Sequence, residues 1–434
     1  MPEYEAPKYL QLDMAANTFL CIRTRKWNYV IRMGFLLKEE IDPERLRRAV
    51  KDIRPRFPTF FVAARRGFFS YYLECMDNAD VVHPELSYPC SPFDLFSRDT
   101  PIIRVVYNGC RFAVEVPHLV ADGKALTVFT RSLLARYLEL GGLELPSDSG
   151  LPGLNEPPRA EELSDDYPRF CTKTKGKIPK DSAAWQYRRP YVENYLRVVH
   201  GTIPLEDILP AARSRGLSVT EYLMSAYLCA FYHADPRAQN SRKPIKLRIP
   251  VNMRQFYPSE TLHNFTLYRN LGFDPRAKED WDFGDVVEAM RGKLKPSITP
   301  EAMRELLNQT VTLSGNPVLR AIPIGLKRWF FKLGYVLTGE RPMTGVLSNL
   351  GRVELPPCLA RRVENVEFIM GGSIFKSLCA FVLSDHRNLH LYLSGACKST
   401  DVQRELFRLL EQEGMRVRVE WDYNSDKEES HWQT

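Results

Sequence analysis

The sequence has 434 residues, more than one ordinary hydrophobic core needs, which predicts two domains or one large domain of two similar halves. Apolar residues make up 44% and charged residues 26%, an ordinary globular composition that needs no disulfides or metals to fold. The net charge of +7 is scattered, with one modest basic concentration at 172–180, so we expect no nucleic-acid partner.

Cysteine usage and the absence of long apolar runs bear on the compartment. The nine cysteines contain no C-x-x-C pair, which argues against a disulfide framework and a zinc knuckle and for a reducing compartment. The first residues, MPEYEAPKYLQLDM, lack the apolar core of a signal peptide, and no run of about 18 apolar residues occurs. We therefore expect a cytoplasmic protein without membrane contact.

The first third of the chain alternates strand and helix patterns. Residues 26–37 and 66–75 are rich in aromatic and β-branched residues and are predicted strands. Between them Asp42 is a good N-cap, and Pro43 suits the first position of an amphipathic helix.

A β-hairpin and a helix follow, and they surround the most informative motif. Asn108-Gly109 between two β-rich runs predicts a type I′ hairpin turn, and the apolar spacing over 124–140 predicts an amphipathic helix. One face of the return strand, inferred to be buried, is formed by Phe112, Val114, Val116 and His118.

Residues 141–180 are rich in Pro, Gly, Ser and charged residues and predict a linker. The predicted domains are 1–150 and 181–434, joined by 151–180.

In the second domain, Ser218-x-x-Glu221 and Thr400-x-x-Gln403 predict capping boxes at two helix starts. Strands are predicted at 243–254, 363–371, 377–395 and 416–423. The mixture without a strict βαβ rhythm predicts an α+β fold.

His118, Asp122 and Gly123 form the motif H-x-x-x-D-G between the hairpin and the helix. A histidine with a near-neutral pKa can take and return a proton, which suits acyl transfer. Asp122 would fix the turn, and Gly123 would permit either a positive φ or a tight fit. By spacing alone, a hydrogen-bonded core histidine followed by an ordinary Asp-Gly turn is the more common explanation of this pattern.

Residues 117–123, PHLVADG, resemble the active-site motif of the CoA-dependent acyltransferase superfamily. This superfamily includes chloramphenicol acetyltransferase, plant-type alcohol acyltransferases and the condensation domains of nonribosomal peptide synthetases. Segments 56–60, 249–265 and 347–356 are similar to bacterial alcohol-acetyltransferase-like and condensation-like members. The resemblance implies two chloramphenicol-acetyltransferase-like halves that form a pseudo-dimer around a central tunnel.

The resemblance also implies roles for individual residues. His118 would be the general base, and Asp122 would be structural and paired with an arginine, for which Arg56 is the candidate by motif position. The oxyanion or substrate would be bound by Ser348, Asn349 and Asn252. No acyl-enzyme, metal or permanently bound cofactor is expected. Acyl-CoA would be the co-substrate, a small molecule with a hydroxyl or amine the acceptor, and the protein a monomer.

Two departures from the family patterns bear on the donor. Condensation domains carry two adjacent histidines, and here Pro117 replaces the first; the D-F-G-W-G segment of plant enzymes is also absent. The Pro117 departure favours a stand-alone O- or N-acyltransferase over a peptide synthetase. The first alternative is transfer from a phosphopantetheinyl carrier protein, and the second is a non-catalytic protein that recruits a partner. His386 and His390 lack the further ligands of a metal site. Residues 329–337, WFFKLGYVL, are interpreted as a core helix, with an acyl pocket or membrane contact as alternatives.

Overall fold

The computed structural model describes residues 7–24, 29–76, 79–146, 149–154, 156–172, 181–191, 195–314, 321–371 and 378–421. The basic segment beyond Thr172 lies outside them. The strands are β1 (Tyr9–Leu10), β2 (Val30–Leu37), β3 (Val62–Arg66), β4 (Tyr71–Cys75), β5 (Val82–Pro84), β6 (Arg104–Asn108), β7 (Arg111–Pro117), β8 (Arg197–Pro204), β9 (Ile245–Asn252), β10 (Thr266–Phe273), β11 (Gly345–Arg352), β12 (Val363–Met370), β13 (Leu378–Ser384), β14 (Asn388–Gly395) and β15 (Arg418–Trp421).

The helices are α1 (Met14–Ile22), α2 (Pro43–Ile53), α3 (Gly123–Leu140), α4 (Asp166–Arg169), α5 (Leu205–Ser214), α6 (Val219–Ala234), α7 (Pro236–Gln239), α8 (Phe283–Met290), α9 (Leu294–Ser297), α10 (Pro300–Ser314), α11 (Ile324–Gly334), α12 (Pro357–Ala360) and α13 (Asp401–Gln412). A π-helical segment, Tyr335–Glu340, continues α11. The predicted α+β class is confirmed.

The strands described form three sheets. The five-stranded sheet has the order β12-β2-β7-β6-β5, and the seven-stranded sheet has the order β10-β9-β11-β13-β14-β8-β15. A small sheet of order β1-β4-β3 stands apart from both. Each large sheet packs on helices: α3 contacts β2, and α6 contacts β9. Helix α6 is buried along most of its length, as its nearly continuous apolar sequence requires.

Strand β12 comes late in the chain but completes the sheet formed by early strands. It pairs antiparallel with β2, Val366 opposite Phe35. Buried Arg32 on β2 donates to Glu367 of β12 at 2.7 Å and to Glu115 of β7 at 3.0 Å. Because these charges lie out of water, they have to be compensated by one another, and the Arg32–Glu367 contact joins β12 to β2. The boundaries at 1–150 and 181–434 stay a prediction, with β12 crossing between the two parts.

Several local predictions are confirmed and others are wrong. Asp42 caps α2, and Ser218 and Glu221 form the predicted capping box of α6. The helix predicted at 124–140 is α3. Thr400, in contrast, makes no side-chain capping bond to α13. The predicted strand 66–75 is instead the end of β3, a turn and β4, because the chain reverses at Gly67–Ser70.

The hairpin before the motif turns one residue later than predicted. Asn108 pairs with Arg111, so the two central residues are Gly109 and Cys110. Only Gly109 has a positive φ, of 54°, which is the pattern of a type II′ turn rather than type I′. The return strand is confirmed, and the core face of Phe112, Val114 and Val116 is fully buried.

Helix α11 departs from its predicted environment. Residues 329–337 were interpreted as a core helix, but Trp329, Phe330 and Leu333 are exposed. The apolar spacing is helical, yet this face points away from the core. In the described residues, no helix combines the length and apolar character needed to cross a membrane.

Candidate active site

His118 lies directly after β7, in the turn that leads to α3. Its backbone N–H donates to the carbonyl of Tyr29 at 2.7 Å, which anchors the turn to the start of β2. Leu119, Val120 and Ala121 beyond it are buried. The histidine side chain itself is only partly buried. A fixed backbone with a partly accessible ring is the arrangement that proton transfer to a substrate requires.

Asp122 joins the helix start to the second half of the chain. Its Oδ1 accepts the backbone N–H of Ala125 at 3.0 Å as the N-cap of α3. Its Oδ2 accepts from Arg254 Nη1 at 2.7 Å and from the Phe265 backbone at 2.9 Å. Burial acts to raise the pKa of Asp122, but the Arg254 charge and these hydrogen bonds outweigh it and lower the pKa below its ordinary value. Asp122 is therefore an ionised structural clamp.

The arginine partner of Asp122 is Arg254, and the candidate Arg56 is wrong for this contact. Arg56 is buried and makes two hydrogen bonds to Glu162, at 2.6 and 2.7 Å. Glu162 lies in a 3₁₀ turn within the predicted linker. This bidentate pair attaches the segment around Glu162 to the segment before β3, so Arg56 stabilises the surroundings of the site.

Asn264 holds the ring of His118. His118 Nδ1 lies 2.8 Å from Asn264 Oδ1, and Asn264 Nδ2 lies 2.9 Å from Asp13 Oδ2. The Asp13 carboxylate also accepts the Asn264 backbone N–H. Because an ionised carboxylate only accepts hydrogen bonds, the side-chain amide nitrogen of Asn264 faces it and the amide oxygen faces the histidine. Since an amide oxygen only accepts, neutral His118 must carry its proton on Nδ1. Its Nε2 then holds the free lone pair.

The pKa of His118 lies below its ordinary value of 6.5. Burial is the main cause, because it disfavours the charged ring. A backbone hydrogen bond of His118, the charge of Asp122 and the hydrogen bond that the ring donates to Asn264 act in the opposite direction but only partly offset it. His118 is therefore neutral at pH 7 and able to accept a proton at Nε2.

Phe19 of α1 forms one wall beside His118. The two rings are stacked, with centroids 4.8 Å apart and planes inclined by 25°. Asp13 is the N-cap of this helix and accepts the Ala16 backbone N–H at 2.7 Å. The same carboxylate thus orients the helix that carries Phe19 and the amide that holds His118.

Gly123 is required by close packing rather than by backbone geometry. Its φ is not positive, so the first of the two explanations for this glycine is wrong. A Cβ at this position would lie 3.2 Å from Phe368 of β12 and 3.5 Å from Leu350 of β11. The glycine therefore lets late strands approach the start of α3.

The three predicted oxyanion or substrate residues have different surroundings. Asn252 Oδ1 accepts the Arg254 backbone N–H at 3.1 Å, which places it beside the Asp122 clamp. Asn349 is exposed and donates to Thr220 at 2.9 Å. Ser348 is partly buried and lies opposite Phe381 of β13, which contacts Phe368, a residue next to Gly123.

Two further carboxyl groups adjoin the histidine network. Burial raises the pKa of Asp13 to about 6, and burial together with the charge of Asp13 raises the pKa of Asp165 to about 7. Asp165 Oδ2 accepts the Met14 backbone N–H at 3.1 Å. Buried His263 lies with its Nδ1 3.9 Å from Asp13, and burial lowers the pKa of His263 to about 4. The site thus contains acids that titrate near neutral pH.

No group of three or more His, Cys, Asp or Glu side chains in the described ranges could hold a metal ion. His390, considered above as a ligand, instead contacts His200 at 3.1 Å and Asp385 at 3.2 Å.

Sequence reasoning missed Asp13, Asn264, Arg254 and Phe19, although the segment 249–265 that contains two of them was singled out.

No family model matches the sequence, and no curated protein is found to be similar to it. Solved structures are similar over nearly the whole chain. TRI101 from F. sporotrichioides, solved with coenzyme A and T-2, has 10% identity and a TM-score of 0.59, with 95% of this chain and 99% of that chain covered. The first condensation domain of the CDA synthetase has 15% identity and a TM-score of 0.57, covering 93% and 96%.

Polyketide synthase associated protein 5 from Mycobacterium tuberculosis is similar to the same extent. Its identity is 14% and its TM-score 0.57, with 92% of this chain and 97% of that chain covered. The fold is therefore the pseudo-dimeric fold that CoA-dependent acyltransferases and condensation domains share, as the motif resemblance implied. At such low identity the likeness establishes the fold, and function has to be argued from the site.

Proposed function

We propose that the protein transfers an acyl group from an acyl-CoA thioester to the hydroxyl or amine of a small molecule, with His118 as the general base. The observation that carries this is the hydrogen-bonded series Asp13, Asn264, His118. It fixes the proton on Nδ1 and leaves Nε2 as the proton acceptor. The lowered pKa keeps that nitrogen free at neutral pH.

The reaction proceeds in one ternary complex. Nε2 takes the proton of the acceptor's O–H or N–H while the acceptor atom attacks the thioester carbonyl. The tetrahedral intermediate collapses, its C–S bond breaks, and Nε2–H returns the proton to the departing sulfur. The histidine ends as it began, so an acyl-enzyme has no place in this sequence of steps.

We assign the stabilisation of the oxyanion to the Ser348 hydroxyl. Ser348 lies opposite Phe381 of β13, and Phe381 contacts Phe368, a residue next to Gly123, which favours the face of β11 that approaches Gly123. Asn349 has the opposite parity and bonds to Thr220, which disfavours it. Asn252 is better suited to orienting Arg254 than to contacting substrate. Loss of one oxyanion donor typically costs about 10²–10³ in kcat.

Coenzyme A is the proposed donor because one structural neighbour was solved with it. The alternative donor is an acyl group on a phosphopantetheinyl carrier protein, supported by the similarity to condensation domains. Pro117 in place of a second histidine favours the first. A single chain supplies Asp13, His118 and Asn264, which supports the expectation of a catalytically complete monomer.

The test is acyl transfer from a panel of acyl-CoA thioesters, followed as thiol release with alcohol and amine acceptors present. We expect His118→Ala to lower kcat by about 10²–10⁴ while remaining folded. His233→Ala, at an exposed histidine, is the matched control. Equal rates in His118→Ala and the parent would exclude this mechanism and favour a recruiting protein. Turnover only with an acylated carrier protein would establish the alternative donor.

A further inference from the structure

Helix α11 and the π-helical turn after it carry an apolar stripe that faces away from the protein. The spacing of its members, i, i+3, i+4, i+7 and i+11, is that of one helix face. Between 47% and 64% of each residue is exposed: Leu326, Trp329, Phe330, Leu333 and Leu337. Such spacing in a globular protein normally marks the face that is buried.

The opposite face of α11 already packs on the protein. Ile324 is buried, Phe331 packs against the main core, and the helix contacts α1. The helix is therefore attached to the protein by one apolar face and carries a second apolar face, the outward stripe. An exposed apolar surface of this kind marks an interaction site.

The β3–β4 turn extends the stripe. Phe68 and Phe69 are 71% and 49% exposed, and their rings contact each other edge to face. The Phe68 carbonyl accepts the Ile324 backbone N–H at 3.0 Å, and the Phe69 carbonyl accepts from Lys327 Nζ at 2.7 Å. These bonds hold the turn against α11, and the two together are called the α11 patch below.

All formal charges of the α11 patch are positive. Residues 65–73 and 321–339 contain no Asp or Glu, and Glu340, which ends the π-helical segment, is fully buried and does not face the surface. Arg65 pairs with Glu74, but four other basic residues lie within these segments: Arg66, Lys327, Arg328 and Lys332. Aromatic and leucine side chains flanked by Lys and Arg are the composition that inserts at the interface of an anionic bilayer.

We propose that the α11 patch binds the surface of an anionic lipid bilayer, with the Trp329 and Phe330 rings at the level of the headgroups. Charge complementarity selects this occupant over a second copy of the chain, because two copies of the patch would bring like charges together. The contact is peripheral and reversible, since one short helix face and one turn supply it. It differs from the expectation, drawn from the sequence, that the protein has no membrane contact.

The patch lies one helix away from the candidate active site. Helix α11 packs on α1, whose Phe19 stacks on His118. Tyr335, just after α11, contacts Tyr29, whose carbonyl binds the His118 backbone. The lipid-facing surface and the proposed base therefore share neighbouring elements. Membrane binding itself does not depend on the catalytic proposal.

Co-sedimentation of the full chain with vesicles tests the proposal. Vesicles of phosphatidylcholine alone are compared with vesicles of phosphatidylcholine and phosphatidylserine, at low and high salt. We expect binding to the mixed vesicles that decreases with salt. Trp329→Glu/Phe330→Glu should weaken it by about tenfold or more, and Arg66→Glu/Lys332→Glu by a similar factor. Both pairs are exposed, and their folding is checked by circular dichroism.

Two control variants make the result specific. Trp421→Glu changes an exposed tryptophan on β15 and should bind as the parent does. His118→Ala should also bind normally, which separates this proposal from the catalytic one. No binding to either vesicle, equal binding to both kinds, or unchanged binding of Trp329→Glu/Phe330→Glu would overturn the proposal. So would a parent dimer that this double variant abolishes, because the patch would then be a protein interface.

Discussion

Asn264 holds His118 from a position 146 residues later in the chain, through a 2.8 Å contact between its Oδ1 and Nδ1 of the ring. The contact connects the motif of the first part of the chain to the loop before β10. It selects the tautomer, because only a protonated Nδ1 can satisfy the amide oxygen. The geometry of general-base catalysis is thus set by a residue outside the motif.

Replacing Asn264 should impair catalysis without removing the base. We expect Asn264→Ala to lower kcat by about 10- to 100-fold, since the ring loses its fixed tautomer and general bases contribute about 10²–10⁴. The pKa of His118 should fall further, because the Asn264 hydrogen bond raises it. The kcat/KM profile against pH measures both. Asn240→Ala, at an exposed asparagine, is the control; an unshifted profile with full loss of activity would indicate a merely structural role.

The pH dependence of the parent follows from the direction of the His118 shift. The neutral ring is the active form, and its pKa is below 6.5, so kcat/KM should rise with pH below 6.5 and be level at neutral pH. Asp13, whose pKa is about 6, titrates nearby and couples to it through Asn264. Asp13→Asn removes this second titrating group, so the rise of kcat/KM with pH below 6.5 should then follow a single pKa. An inflection above 6.5 in the parent would contradict a His118 that is neutral at pH 7.

The ionised side chain of Asp165 should lower the stability of the folded protein once the pH exceeds about 7. A carboxyl whose pKa is raised by folding is favoured in its protonated form, so stability falls as pH rises from its ordinary 3.8 to about 7. Allowing for partial exposure, Asp165→Asn should increase the free energy of unfolding by about 1–3 kcal/mol at pH 8 and leave it unchanged at pH 3. Urea unfolding at both pH values measures this. Asp99→Asn, at an exposed aspartate, should have no effect at either pH.

How far the sequence predicts this site depends on how local each interaction is. The position of His118 after a hairpin strand and the start of α3 follow from neighbouring residues, and both are confirmed. Arg254 and Asn264 reach the motif from more than 130 positions away. Among 60 basic residues, spacing gave no reason to select Arg254 over Arg56. Long-range pairing follows from the tertiary fold, which the motif alone does not specify.

Helix α11 illustrates a second limit of prediction from sequence, which concerns the environment of a helix face. Its apolar periodicity predicts a helix with a hydrophobic face, and the helix is present. The same periodicity does not say what covers that face. Trp329 was assigned to a core by the rule that apolar faces are buried, yet it is 64% exposed. The rule fails here because the helix has a second, buried face that includes Ile324 and already attaches it to the protein.

Arg254 and Arg56 pair with different buried carboxylates, Asp122 and Glu162, so their removal should have different effects on stability. Arg254→Met removes the partner of buried Asp122 and leaves its charge unpaired, which should cost about 3–5 kcal/mol of stability. Since Arg254 helps to lower the pKa of Asp122, its loss should raise that pKa, and the stability that Asp122 contributes above pH 3.8 should disappear. Adding Asp122→Asn should recover much of the loss in urea unfolding. Arg56→Met should also destabilise, through Glu162, but Asp122→Asn should give it no recovery. Equal recovery in both backgrounds would show that Asp122 is not clamped by Arg254.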